Sequence, residues 1–280
     1  MTTIDLQLPE GAPEEVVTKA LVRDIDLRAF GFNGSLALIT LDNGQDHNRP
    51  NTFGVQSLRA LDNAITDAVS RKPTAIAITG KPFIFAAGAD LSALAFISSR
   101  EQALTIGKLG HDVFRRLGEL DIPTFAFING LALGGGLETG LHCTYRTLPT
   151  TAFTALPEVF LGLVPGWGGA TLLPKLIGPE RAVQVILVNA LNNNTMMKAK
   201  DALSLGLVDA VYEPADFLEH SMAFAASILS GARKPNTPVF AGATSASRSA
   251  RTPGTARISG PSRCIPRIRS ETRSKRARIS

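Results

Sequence analysis

Three apolar runs of strand length, at residues 36–41, 75–79 and 124–128, are separated by stretches with a helical period. Leu58, Leu61, Ile65 and Val69 recur every three or four residues, and Leu104, Val113, Phe114 and Leu117 mark a weaker stripe after Arg100. A helix patterned in this way turns one stripe to a core. Pro73 and Pro123 stand just before strands, where a preceding helix has to stop. Alternating strands and helices of this kind predict an α/β domain. Phe125, Phe127 and Phe153 are expected in its core. Residues 179–231 then read as almost wholly helical. Pro179 opens one helix, Thr195 caps the next and Gly206 ends it, and residues 216–229 give the last.

The chain has 280 residues, 44% of them hydrophobic, enough for one sizeable core and a single domain. Its net charge of +5 is unevenly placed. Residues 241–280 hold nine Arg, one Lys and one acid, so the remainder is mildly acidic. That tail has no hydrophobic period and cannot bury enough apolar surface to offset its ordering entropy. Residues 234–280 are therefore expected to be a disordered Arg/Ser/Pro-rich tail, with residues 1–22 an N-terminal extension and residues 23–233 the folded domain. The change in composition at one point, with no linker logic, suggests a truncated or frame-shifted product. Clustered Arg can neutralise phosphates, but without interleaved aromatics or a folded motif no specific nucleic-acid partner is expected.

Two widely spaced cysteines, Cys143 and Cys264, make no disulfide framework and point to a reducing compartment. The N-terminus lacks the basic start and apolar core of a signal peptide. No run approaches the roughly 20 apolar residues of a membrane span. A cytoplasmic protein without membrane contact is the expectation. The four histidines are scattered with no ligand cluster around them, so no metal site is expected.

Three stretches carry the chemistry. In Phe85-Ala86-Ala87-Gly88-Ala89-Asp90-Leu91, small residues let a ligand approach the backbone, where the Ala89 N–H could face an anion; taken alone, these residues more often make a plain tight turn. In the stretch from Asn129 to Glu138, the glycines Gly134, Gly135 and Gly136 fall at a helix start, whose free N–H groups and dipole suit an oxyanion. It is neither a Walker loop nor a dinucleotide fingerprint, which favours an enolate over a phosphate. Glu138 there also reads as a simple dipole partner. In the stretch from Leu156 to Gly169, Glu158 follows Pro157 among apolar residues, and Gly166 and Trp167 lie in a glycine loop. Such surroundings raise a carboxyl pKa and suit an acid working near neutral pH.

In this order and spacing, FAAGADL, NGLALGGGLE and LPEVFLGLVPGWGG resemble the enoyl-CoA hydratase/isomerase (crotonase) family, and LIGPERA and KDALSLGLVDAV continue the likeness over about residues 24–229. The phrasing is most similar to the N-terminal hydratase part of multifunctional fatty-acid β-oxidation proteins. The resemblance implies a spiral of ββα units followed by a helical trimerisation region. It implies an acyl-CoA substrate with no separate cofactor, coenzyme A being part of the thioester. Carried over by motif, the N–H groups of Ala89 and Gly135 form the oxyanion hole, and Ala87, Gly88, Asp90, Gly134, Gly166 and Trp167 contact substrate. Glu138 acts chiefly as base on the water adding to Cβ, and Glu158 delivers the proton to Cα.

Trp167 stands where many family members carry a small residue, which implies a differently shaped acyl pocket. The family also continues with ordered helix where the basic tail begins here, so the family trimer is expected to be weak or absent. Hydration of 2-enoyl-CoA in fatty-acid β-oxidation is the activity implied. The alternatives are Δ3–Δ2 enoyl-CoA isomerisation, which needs only Glu158, and a catalytically impaired remnant that keeps the fold.

Overall fold

The computed structural model describes residues 13–234, apart from the side chains of residues 93–95. Except for Lys234, the tail expected to be disordered lies outside the described residues, as does Cys264.

A six-stranded sheet runs in the order β1 (Lys19–Asp26), β2 (Ser35–Asp42), β3 (Ala75–Gly80), β5 (Thr124–Phe127), β7 (Tyr145–Pro149) and β10 (Ala210–Tyr212). A four-stranded sheet runs β4 (Phe83–Ala86), β6 (Gly130–Leu133), β8 (Phe153–Ala155) and β9 (Met197–Lys198). All neighbours are parallel except β1 with β2 and β8 with β9. The helices are α1 (Val55–Ser70), α2 (Arg100–Gly118), α3 (Gly135–His142), α4 (Gly169–Ile177), α5 (Pro179–Val183), α6 (Asn189–Leu191), α7 (Ala199–Leu205) and α8 (Phe217–Leu229).

The chain repeats one step. A strand joins the large sheet, the next joins the small one, and a helix returns: β3-β4-α2, then β5-β6-α3, then β7-β8 with the 3-10 turn Glu158–Leu161. This is the expected ββα spiral. Because β4, β6 and β8 are parallel neighbours, the loops leaving their C-terminal ends collect at one edge. Those loops hold Ala87–Asp90, Gly134 and Pro157, which is how three motifs distant in sequence come to share a site. Ligands in parallel α/β sheets gather at carboxyl ends of strands for the same reason.

Strands β2, β3 and β5 of the large sheet are buried on both faces, so they read as continuous apolar runs, whereas the edge strand β1 has no buried residue. Ile76 and Ile78 of β3 join Ile39, Leu58, Leu61 and Phe114 in one core cluster, whereas Ala75 and Ala77 join Leu36, Phe125, Phe127 and Phe224 in the other. The two-residue strand period thus sends the Ile and Ala side chains of β3 to opposite faces.

Several expectations are corrected. In α1 the buried line ends at Ala68, and Val69, the last residue but one of the helix, is exposed. In α2 only the second half is buried; Val113, Phe114 and Leu117 are covered but Leu104 is exposed. Phe153 alternates with buried Thr154 on β8 and is exposed. Residues 179–231 are not wholly helical, since β9 and β10 interrupt them and a π-helical turn, Gln184–Val188, lies between α5 and α6. Thr195 caps no helix. Met197–Lys198 pairs with Phe153–Thr154 instead, and α7 starts at Ala199, ending at Gly206 as expected.

Strand β1 begins at Lys19, inside the segment set apart as residues 1–22. Just before it, the Glu15 carboxylate accepts from the N–H groups of Gln56 and Ser57, each at 2.8 Å. It caps α1, whose N-cap residue, Gly54, has no side chain to do so.

Candidate active site

Ala87, Gly88, Ala89, Gly134, Gly135, Glu138, Glu158, Gly166 and Trp167 line one cavity of about 540 Å³. Its remaining walls are largely apolar and include Leu91, Ile106, Leu133, Phe160 and Leu161. Of the residues singled out in the sequence, only Asp90 faces elsewhere. Its Oδ1 accepts from the Ser92 N–H at 3.0 Å and from Ser92 Oγ at 2.7 Å, so it caps the 3-10 turn Leu91–Phe96.

Two residues that line the cavity, Ala89 and Gly135, keep backbone N–H groups outside the local hydrogen bonding. Phe53 bridges Ala89 in parallel, using Gly88 O and the Asp90 N–H, so the N–H of Ala89 itself is turned away from Phe53. Gly88, at φ +92°, makes this reversal possible. On the second loop, the N–H of Gly134 donates to Ala155 O and that of Glu138 to Gly134 O. The N–H groups of Ala89 and Gly135 have no acceptor among the described residues. The two loops touch: a Cβ on Gly88 would lie 3.2 Å from the Gly135 nitrogen. Two free donors on adjoining loops can bind one oxygen.

Glu138 lies in the first turn of α3 and is 2% exposed. Its Oε1 accepts from the N–H groups of Trp167 and Gly169, each at 2.8 Å. Burial raises its pKa to about 8; the two N–H donors oppose this and the nearby Glu158 adds to it. Glu158 starts the 3-10 turn after Pro157, and burial raises its pKa to about 7. Its Oε2 is buried with no hydrogen-bond partner among the described residues. Glu158 Oε1 sits close over Gly134, where a Cβ would come within 2.7 Å of it. Two carboxyl groups titrating near neutrality therefore share one apolar cavity.

Trp167 is buried, with its indole edge-on to Phe114 at 5.4 Å. A Cβ at Gly135 would fall 2.5 Å from the ring. The Trp167 carbonyl is 2.8 Å from His142 Nε2. A carbonyl can only accept, so Nε2 carries the proton. Burial keeps that imidazole neutral, with a pKa lowered to about 4. His142 is thus a support for the loop that holds Glu138.

That support could not be read from the sequence, where His142 shows only a packed helix. Asn194, which also lines the cavity, gave no signal either. The apolar walls Phe160 and Leu161 were present inside the third motif but were not marked as lining. A separate cleft of about 310 Å³ at the C-terminal end of α3 is lined by His111, Arg115 and Lys175 and holds neither glutamate. No group of three metal-ligating side chains occurs among the described residues. None of their helices is long and apolar enough to cross a membrane.

The spiral of ββα turns is a crotonase-like fold. A family model for enoyl-CoA hydratase/isomerase matches residues 31–252, and the chain belongs to that family. It is 37% identical over 211 residues to the fatty acid oxidation complex subunit alpha of Shewanella loihica, covering 74% of this chain and 28% of that protein. With the protein of the same name from Pseudomonas aeruginosa it shares 38% identity over 188 residues, 65% of this chain and 25% of the relative. The chain thus spans about a quarter of the length of these relatives. The crystal structure of an enoyl-CoA hydratase from Bacillus anthracis aligns with a TM-score of 0.64 at 27% identity, covering 76% of each chain. The motif resemblance to a fatty-acid oxidation protein agrees with these relatives.

Proposed function

We propose that the protein is an enoyl-CoA hydratase, adding water across the 2,3 double bond of a 2-enoyl-CoA to give 3-hydroxyacyl-CoA in fatty-acid β-oxidation. The observation that carries this reading is the pairing of Glu138 and Glu158 across one apolar cavity that also receives two free backbone N–H groups.

In this reading the thioester oxygen accepts from the N–H groups of Ala89 and Gly135. Attack at Cβ drives electrons through Cα onto that oxygen, and the two donors stabilise the enolate. Losing one such donor typically costs about 2.7–4 kcal/mol of transition-state stabilisation. Water gives its oxygen to Cβ and one proton to Glu138, while Glu158 gives a proton to Cα. The product gains one water, and the two carboxyl groups exchange which of them is protonated.

The raised pKa values, about 8 and about 7, suit this exchange, since near neutrality the pair carries roughly one proton. With the N–H donors to Glu138 already counted, Glu138 still ranks above Glu158, which taken by itself would make Glu138 the acid. Glu138 keeps the role of base that the motif resemblance implies, with its Oε1 held by the N–H groups of Trp167 and Gly169. Isomerisation of a 3-enoyl-CoA would need one carboxyl group only and leaves the second without work.

Purified protein offered crotonyl-CoA should remove the conjugated thioester absorbance and yield 3-hydroxybutyryl-CoA. Turnover of a 3-enoyl-CoA with none of crotonyl-CoA would replace hydration by isomerisation.

A further inference from the structure

Helix α2 carries two glycines one turn apart, and the protein explains only one of them. A Cβ at Gly110 would run into Cε2 of Trp167, so the indole requires a glycine there. Gly107, three residues earlier and on the same face, lines the 540 Å³ cavity, and a Cβ there would meet nothing within 4 Å. A glycine inside a helix is destabilising relative to any ordinary helix former. Among the described residues, no atom occupies the space that this choice leaves at Gly107.

The surroundings of the notch are apolar, formed by Ile97, Ala103, Ile106, Leu133, Phe160 and Leu161. Phe160 is 59% exposed and Leu161 48%, a concentration of open apolar surface at the cavity mouth. The same indole that fills the notch at Gly110 stops short of Gly107.

We propose that the notch at Gly107 is the path of the acyl chain, and that Gly107 sets a preference for acyl-CoA thioesters with medium or long chains. This rests on the reading of the cavity as an acyl-CoA site. Methylenes beyond Cβ cross α2 at Gly107, between Trp167 and the apolar walls.

Trp167 is the only tryptophan in the chain, so its fluorescence reports on this cavity. The full-length protein and a Gly107→Leu variant would be titrated with butyryl-, octanoyl- and dodecanoyl-CoA. The expected result is a wild-type affinity that rises with chain length, by about tenfold or more, which corresponds to about two buried methylenes. In Gly107→Leu the loss of affinity should grow with chain length and reach about tenfold for dodecanoyl-CoA. The variant should also melt above the wild type, since leucine favours the helix and the space is open. Higher stability with selectively weaker long-chain binding is a combination that general disruption of the fold does not produce. Wild-type affinity independent of chain length, or equal losses for all three ligands, would overturn the assignment. Failure to bind any acyl-CoA would overturn the proposed function and this inference with it. Chain-length-dependent binding without hydration would count against the proposed activity alone.

Discussion

The backbone N–H of Trp167 donates to Glu138 Oε1 at 2.8 Å, so one loop fixes both the indole in the cavity and the carboxylate beside it. The same residue's carbonyl is tied to His142 Nε2, giving a continuous line from His142 through the Trp167 peptide to Glu138. Removing His142 should loosen the loop without touching the substrate. His142→Ala is expected to lower kcat severalfold or more while acyl-CoA affinity changes little, and His142→Gln, which keeps a donor, should recover part of the loss. A steady-state kcat and a fluorescence Kd for each variant check this. An Ala variant with unaltered kcat would show that the line carries no positioning role.

The loop of Gly134 and Gly135 has no room to give. A side chain at Gly135 meets the Trp167 ring, so Gly135→Val should displace the N–H and reduce kcat by about 10²–10³-fold while Glu138 remains. Gly134 sits at φ 50° with a Cβ position 2.7 Å from Glu158 Oε1. Gly134→Ala should therefore destabilise the fold by about 1–3 kcal/mol and also shift Glu158. Denaturant melts and kcat measured together separate the two effects. A Gly135→Val protein that folds and turns over normally would remove Gly135 from the site.

The pH dependence has a definite sign. Hydration needs one carboxyl protonated and one ionised, so activity should peak between about 7 and about 8 and fall on both sides. Stability should behave differently. The Glu138 pKa is raised from 4.5 to about 8 on folding, so between these values the native state holds a proton that the unfolded chain has released. Its contribution is fully present below pH 4.5 and is lost as pH rises through about 8. Glu138→Gln should flatten the decline in melting temperature across that window. A decline of the same slope in the variant would place its source elsewhere.

Glu15 acts from outside the helix it caps. Glu15→Ala frees the N–H groups of Gln56 and Ser57 and should cost about 0.5–2 kcal/mol in urea unfolding, with kcat unchanged. A variant of unaltered stability would mean that this cap contributes nothing.

How much of this was legible follows from which interactions are local. β2, β3 and β5 are buried on both faces and stood out as apolar runs. β4, β6 and β8 are three or four residues long and made largely of Phe, Ala, Gly and Leu, so they merge into the loops. β9 exists only by pairing with Phe153–Thr154, a partner that sequence does not announce. The glycine loops and both glutamates were visible by residue type and spacing. The groups that hold Glu138 were not, because Trp167 and Gly169 lie 29 and 31 residues away. Asp90 lies off the cavity, and the signal for that is local: an aspartate two residues before Ser92 is a cap pattern.

The central claim is that Glu138 and Glu158 act together on one water. A double-mutant cycle in kcat/KM for crotonyl-CoA hydration tests it most directly. Glu138→Gln and Glu158→Gln should each lower the rate by about 10²–10⁴-fold. The double variant should lose far less than the product of the two, because either change already disables the shared step. Full hydratase activity in Glu138→Gln, or single effects that simply multiply, would contradict the account.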